Sequence, residues 1–143
     1  MRRIRYSIAV LGCALLTACT GSDAPSGLSA KSAADWSKVG ETDAYAYYAD
    51  HGSLRKADET VTMSDLLDYK TPQIEGGAAP ALSKITSREY DCQNQKSQPL
   101  KTTWYSGQMG AGSVVHTTGG SNSMAVVSPG TATAGFMRIA CGL

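Results

Sequence analysis

The feature that most limits what this chain can fold into is Leu16-Thr17-Ala18-Cys19, which closes the pattern of an export signal. Arg2, Arg3 and Arg5 supply a positive n-region, and residues 6–16 form an apolar stretch of h-region length. A membrane-spanning helix needs roughly 20 apolar residues, and this stretch gives way to Thr20-Gly21-Ser22-Asp23 too early. Removal of residues 1–18 leaves about 125 residues, enough for one domain around one core. It also removes three arginines, so the formal charge passes from +1 to about −2. With that balance, and with no Lys/Arg cluster interleaved with aromatics, no nucleic-acid partner is expected.

A cysteine placed directly after small and apolar residues at the end of such a signal has the form of a bacterial lipobox. Cleavage is expected before Cys19, with lipid attached to its sulfur. Val10-Leu11-Gly12-Cys13 has a similar form, but cleavage there would leave a very short apolar core, which favours Cys19. Thr20 follows, where an aspartate would signal inner-membrane retention, so the outer membrane is the expected location. Anchoring through more than one acyl chain is stable where a single chain is marginal. Residues 20–34 (TGSDAPSGLSAKSAA) are small and polar and cannot bury enough surface to fold. Residues 19–34 are therefore read as lipidated cysteine and flexible tether, spanning roughly 20 Å root-mean-square. The folded domain is expected over 35–143.

Beyond Cys19 only Cys92 and Cys141 remain, an even pair in a chain expected outside the cytoplasm, where disulfides persist. Metal binding is the alternative, but neither cysteine belongs to a Cys-x-x-Cys pair or has a histidine at ligand spacing. A Cys92–Cys141 bridge would be worth roughly 4 kcal/mol in chain-entropy terms.

Along the domain, which begins near Trp36, the apolar pattern has period two. Residues 45–49 (YAYYA) read as a strand followed by a turn at Asp50-His51-Gly52-Ser53. Residues 60–64 alternate, with a continuation to Tyr69 before Thr71-Pro72 stops it, and residues 82–92 form the next strand. Residues 93–99 read as a polar connection, residues 100–106 as a strand, and residues 113–117 and 124–127 as two shorter ones around the turn at Gly119-Gly120-Ser121-Asn122. Strands at hairpin distances favour an antiparallel sheet. The C-terminus changes period: Ser128-Pro129 has the form of an N-cap with proline at the first helical position, and Ala132, Phe136, Ile139 and Ala140 share one helical stripe. The expected fold class is α+β, an antiparallel sheet of about five or six strands with the C-terminal helix on one face, tied by the Cys92–Cys141 disulfide.

No catalytic constellation is legible. His51 and His116 stand apart, and there is no Gly-x-Ser-x-Gly, His-Glu-x-x-His or Walker sequence. Asp65 with Asp68, and Glu89 with Asp91, read as solvated strand carboxylates. The glycine-rich residues 107–112 join strands and precede no helix, which argues against a phosphate cradle. No enzyme activity, metal or cofactor is expected. The one candidate binding group is Tyr45, Tyr47 and Tyr48: alternation places Tyr45 and Tyr47 on one face and Tyr48 on the other. One face packs beneath the helix, and the other offers tyrosine to a partner; filling of a thin core by all three is the competing reading.

Several segments together resemble the surface-adhesin protein E family. They are Trp36, Tyr47-Tyr48-Ala49-Asp50 with Ser53-Leu54, Leu66-Leu67-Asp68-Tyr69, Ser87-Arg88-Glu89-Tyr90-Asp91-Cys92, Tyr105-Ser106 with Gly110-Ala111-Gly112, Val127-Ser128-Pro129-Gly130 and Cys141. The resemblance covers residues 36–141, with Met63 standing where many relatives carry a tryptophan. It implies an antiparallel sheet with a disulfide-tied helix. It also implies a lipid-anchored outer-membrane adhesin whose partners are host matrix proteins such as vitronectin and laminin. A periplasm-facing envelope-maintenance lipoprotein is the rival reading, and a lysozyme-type hydrolase inhibitor, inserting residues 71–81 or 117–123, is the third. Homodimerisation through an exposed sheet edge is compatible with the sequence.

Overall fold

The computed structural model describes residues 34–75 and 78–143. The signal segment, Cys19 and nearly all of the tether lie outside the described residues. Seven strands form one antiparallel sheet: β1 (Trp36–Glu41), β2 (Tyr45–Ala57), β3 (Thr60–Gln73), β4 (Ala81–Asp91), β5 (Lys96–Tyr105), β6 (Val114–Gly119) and β7 (Ala125–Val126). Each of the first five strands pairs with the next in the chain, and β7 pairs with β5 alongside β6. One helix, α1 (Ala132–Cys141), follows.

Several boundaries differ from those read in the sequence, each for a local reason. β1 was not expected; its residues carry little alternation, and its pairing with β2 shifts register between Lys38 and Gly40. The expected turn at 50–53 is a register shift inside the continuous strand β2, between Asp50 and Arg55. There Ser53 Oγ donates to Asp50 O at 2.8 Å and accepts from Ser64 N at 2.8 Å. The real turn is the two-residue connection Asp58-Glu59, with Asp58 at φ 50°. The β4–β5 connection is also shorter than expected: Asp91 Oδ1 accepts the amides of Gln93 and Asn94 at 3.1 and 2.9 Å, closing an Asx-type turn. Pro99 therefore lies within β5. It has no N–H to donate, and opposite it the sixth sheet position breaks into β6 and β7.

The helix begins three residues later than Ser128. Gly130 has φ 77°, which ends the Pro129 turn, and the Thr131 hydroxyl accepts from Ala134 N at 3.2 Å as the N-cap. Gly142, at φ 69°, closes the other end by donating to Arg138 and Ile139 carbonyls. The helix lies on β1–β4. Phe136, Met137 and Ala140 pack onto Ala49, Val61, Met63 and Tyr90, the main core. Close approach is possible because Gly135 faces Val39 and Tyr47 where a Cβ would stand 3.0 and 3.4 Å from their carbons. Met63 is fully buried, and its unbranched thioether fits beneath the helix.

Cys92, just past β4, is bonded to Cys141 in the last turn of α1, with Cα atoms 5.7 Å apart. The expected fold class and disulfide are thus both present. Replacing both cysteines with serine is expected to lower unfolding stability by about 2–5 kcal/mol. Urea unfolding, followed by far-ultraviolet circular dichroism of oxidised wild type and variant, measures the difference.

Candidate functional site

The period-two register gives the two sheet faces different chemistry. On the helix face, Tyr47 meets Phe136 edge to face at 5.6 Å. Tyr45 stands 6.1 Å from both Tyr47 and Tyr69, again edge to face. Burial pushes the Tyr69 hydroxyl up to about 12. Tyr48 lies on the opposite face, as alternation requires, between Lys38 and Leu66 in neighbouring strands. The tyrosines are therefore divided, with Tyr47 committed to the helix contact and only Tyr48 on the helix-free side.

Beside the helix, the same face carries polar groups that the sequence reading placed in solvent. Asp65 is only 3% exposed and accepts from Arg88 Nε at 2.9 Å. Burial pushes its carboxyl up while Arg88 opposes the shift. Tyr90 Oη is buried without a hydrogen-bond partner, and burial together with the Asp65 charge pushes it up. Asp65 and Asp68 point to opposite faces, so they form no carboxylate pair. Glu89 and Asp91 do share a face. However, Glu89 accepts from Thr60 and Gln98 at 3.2 and 2.7 Å, and Asp91 holds the β4–β5 turn. His51 pairs with Ser37 Oγ at 2.6 Å, and His116 stacks on Trp104 at 5.1 Å. Among the described residues no group of three potential metal ligands converges.

The helix-free face is covered in a different way. The β5–β6 connection, residues 107–112, folds back over β3 and β4 through a short 3₁₀ turn at Gln108–Gly110. Ser83 Oγ donates to Gly107 O at 2.6 Å and accepts from Gly110 N at 2.9 Å, while Asp68 Oδ1 accepts from Met109 N at 2.7 Å. This loop helps bury Leu66, which is 0% exposed, and leaves Gly110 close to Ile85. Between the loop and the start of β1 lies a cavity of about 310 Å³, lined by Trp36, Asp50, Ser64, Ile85, Tyr105 and Met109 among others. The sequence reading missed this group because its members are scattered over six segments. The available signal was register: Trp36 pairs with Asp50, and Asp50 with Ser64, so all three fall on one face.

One sheet, one stapled helix and one loop-covered cavity define a small α+β scaffold without an assembled catalytic group among the described residues. The surface-adhesin protein E family model matches residues 36–142. The chain belongs to that family and is an adhesin-type protein. Its fold is similar to that of Haemophilus influenzae protein E. The selenomethionine form matches with a TM-score of 0.55 at 16% identity, over 73% of this chain and 90% of that one. Protein E from non-typeable Haemophilus influenzae matches with a TM-score of 0.54 at 15% identity, over 85% and 80%. No curated protein sequence matches significantly.

The buried ion pair yields a quantitative expectation. Asp65→Ala leaves the Arg88 guanidinium largely buried and unpaired, and should cost about 3 kcal/mol. Asp65→Leu combined with Arg88→Met should cost less than Asp65→Ala alone, as measured by urea unfolding.

Proposed function

We propose that this chain is a lipid-anchored, non-enzymatic binding protein of the bacterial outer membrane, with the 35–143 domain presented on a tether to host matrix proteins. The observation that carries this reading is the family match over residues 36–142, nearly the whole folded domain. Anchoring at Cys19 after removal of residues 1–18 is supported by the lipobox pattern. Among the described residues no helix is long and apolar enough to cross a membrane, which is consistent with attachment through lipid. Residues 19–34 then serve as the tether.

Vitronectin and laminin are the partners to test first, because the family resemblance implies them. Tyr48 is the tyrosine placed to meet a partner, since Tyr45 and Tyr47 face the helix side. Self-association is a further component of the proposal: the outer edges of β1 and β6 have no partner strand among the described residues.

The test is protease accessibility of the domain on intact cells, with permeabilised cells as control, alongside metabolic labelling with a fatty-acid analogue. Cleavage on intact cells, and label lost in Cys19→Ser, are the expected results. Protection until permeabilisation overturns surface presentation and leaves a periplasmic envelope role, whereas label retained in Cys19→Ser overturns the anchor.

A further inference from the structure

The Asp50 carboxylate is the least ordinary group in the cavity on the helix-free face. It is 8% exposed, and no described lysine, arginine or histidine lies within ion-pair distance of it. Its Oδ1 accepts the amides of Asp35 and Gly52 at 2.8 and 3.1 Å, which fixes the carboxylate plane. Its Oδ2 accepts from no described residue. A largely buried carboxylate on a cavity wall, with no cationic partner among the described residues, favours a cation in that cavity.

The remaining walls match a particular kind of cation. Trp36 and Tyr105 present aromatic surface, Ser64 has a hydroxyl, and Ile85 and Met109 are apolar. An aromatic surface beside a fixed carboxylate suits the guanidinium or ammonium end of a side chain, with its methylenes lying against the apolar wall. A cavity of about 310 Å³ sits at the lower end of the size range for drug-sized ligands, which fits one inserted side chain rather than a larger molecule. The rim also holds backbone in a costly conformation. Met109 has φ 54° and ψ 32°, in the left-handed region, and is kept there by Asp68 and by the neighbouring Ser83 anchor. Strain of this kind persists where the surroundings over-determine it, and it concentrates at ligand clamps.

We propose that this cavity receives a single basic side chain, arginine or lysine, from a protein partner. Asp50 supplies the counter-charge, Trp36 and Tyr105 the aromatic contact, and Met109 the apolar rim. That the basic side chain belongs to another protein rests on the adhesin reading above; the cation preference of the cavity does not.

The test is a titration of the full chain, held in detergent micelles and ¹³C-labelled at its methionine methyl groups. The probes are N-acetyl-arginine amide, N-acetyl-lysine amide and the uncharged N-acetyl-norleucine amide. The Met109 methyl and the Trp36 indole N–H are expected to shift saturably with both cations, while the buried Met63 and Met137 methyls stay in place. Asp50→Asn retains an oxygen for the Asp35 and Gly52 amides but removes the charge, and should weaken binding on the order of tenfold. Trp36→Leu, with Asp50 intact, should weaken it several-fold and serves equally if the Asp50 variant does not fold.

No shift with either cation overturns the proposal, as does equal affinity for norleucine or wild-type affinity in both variants. The readout needs neither cells nor a host protein. Cation binding by a domain found protected on intact cells would therefore keep the cavity assignment and discard surface adhesion.

Discussion

A single sheet has two faces, and this chain has one helix with which to cover them. The helix covers only the β1–β4 part of one face, and it is held there by Phe136 and Met137 from below and by Cys141 from its end. The other face is left to a six-residue loop, whose polar anchors on Ser83 and Asp68 replace what a second helix would provide through apolar contact. The two faces thus solve the same problem with different chemistry. One uses dispersion and a covalent tie. The other uses hydrogen bonds to the buried Ser83 hydroxyl and the half-buried Asp68 carboxylate, which demand specific partners and leave gaps where the loop ends. The cavity beside Asp50 is such a gap.

Much of the frame was legible in the residue pattern because period two is a strong signal when one face is buried. Residues 60–64 of β3 alternate cleanly, and the change of period after Val127 announced the helix. What the pattern concealed were strands whose regularity is broken by bulges. Asp50-His51-Gly52-Ser53 has turn composition, yet the backbone there stays extended and only its register with β3 slips. Pro72 read as a stop and Pro99 as the end of a polar connection, but each lies near a register shift where the missing donor is tolerated. The division of Tyr45, Tyr47 and Tyr48 followed from parity alone. The burial of Asp65 did not, because its cause is Arg88, 23 residues away in the chain. The same limit hid the cavity: no local pattern brings Trp36, Asp50 and Met109 together.

Identity of 15–16% with Haemophilus influenzae protein E alongside a shared architecture shows which constraints matter. A fold that persists at this identity leaves most surface and cavity residues free to diverge. Conserved architecture is therefore compatible with different partners on different members.

The order of the strands also governs how the chain assembles. Each strand from β2 to β6 pairs with the one before it, so hairpins can form in succession as the polypeptide lengthens, with little loop closure to overcome. The staple is the exception: its second sulfur sits 49 residues after the first, in the last turn of the final helix. A copy that stops between β5 and α1 keeps most of its ladder but leaves Cys92 without its native partner and the Met63 face uncovered. The redox state of one sulfur therefore reports whether the whole domain has been made.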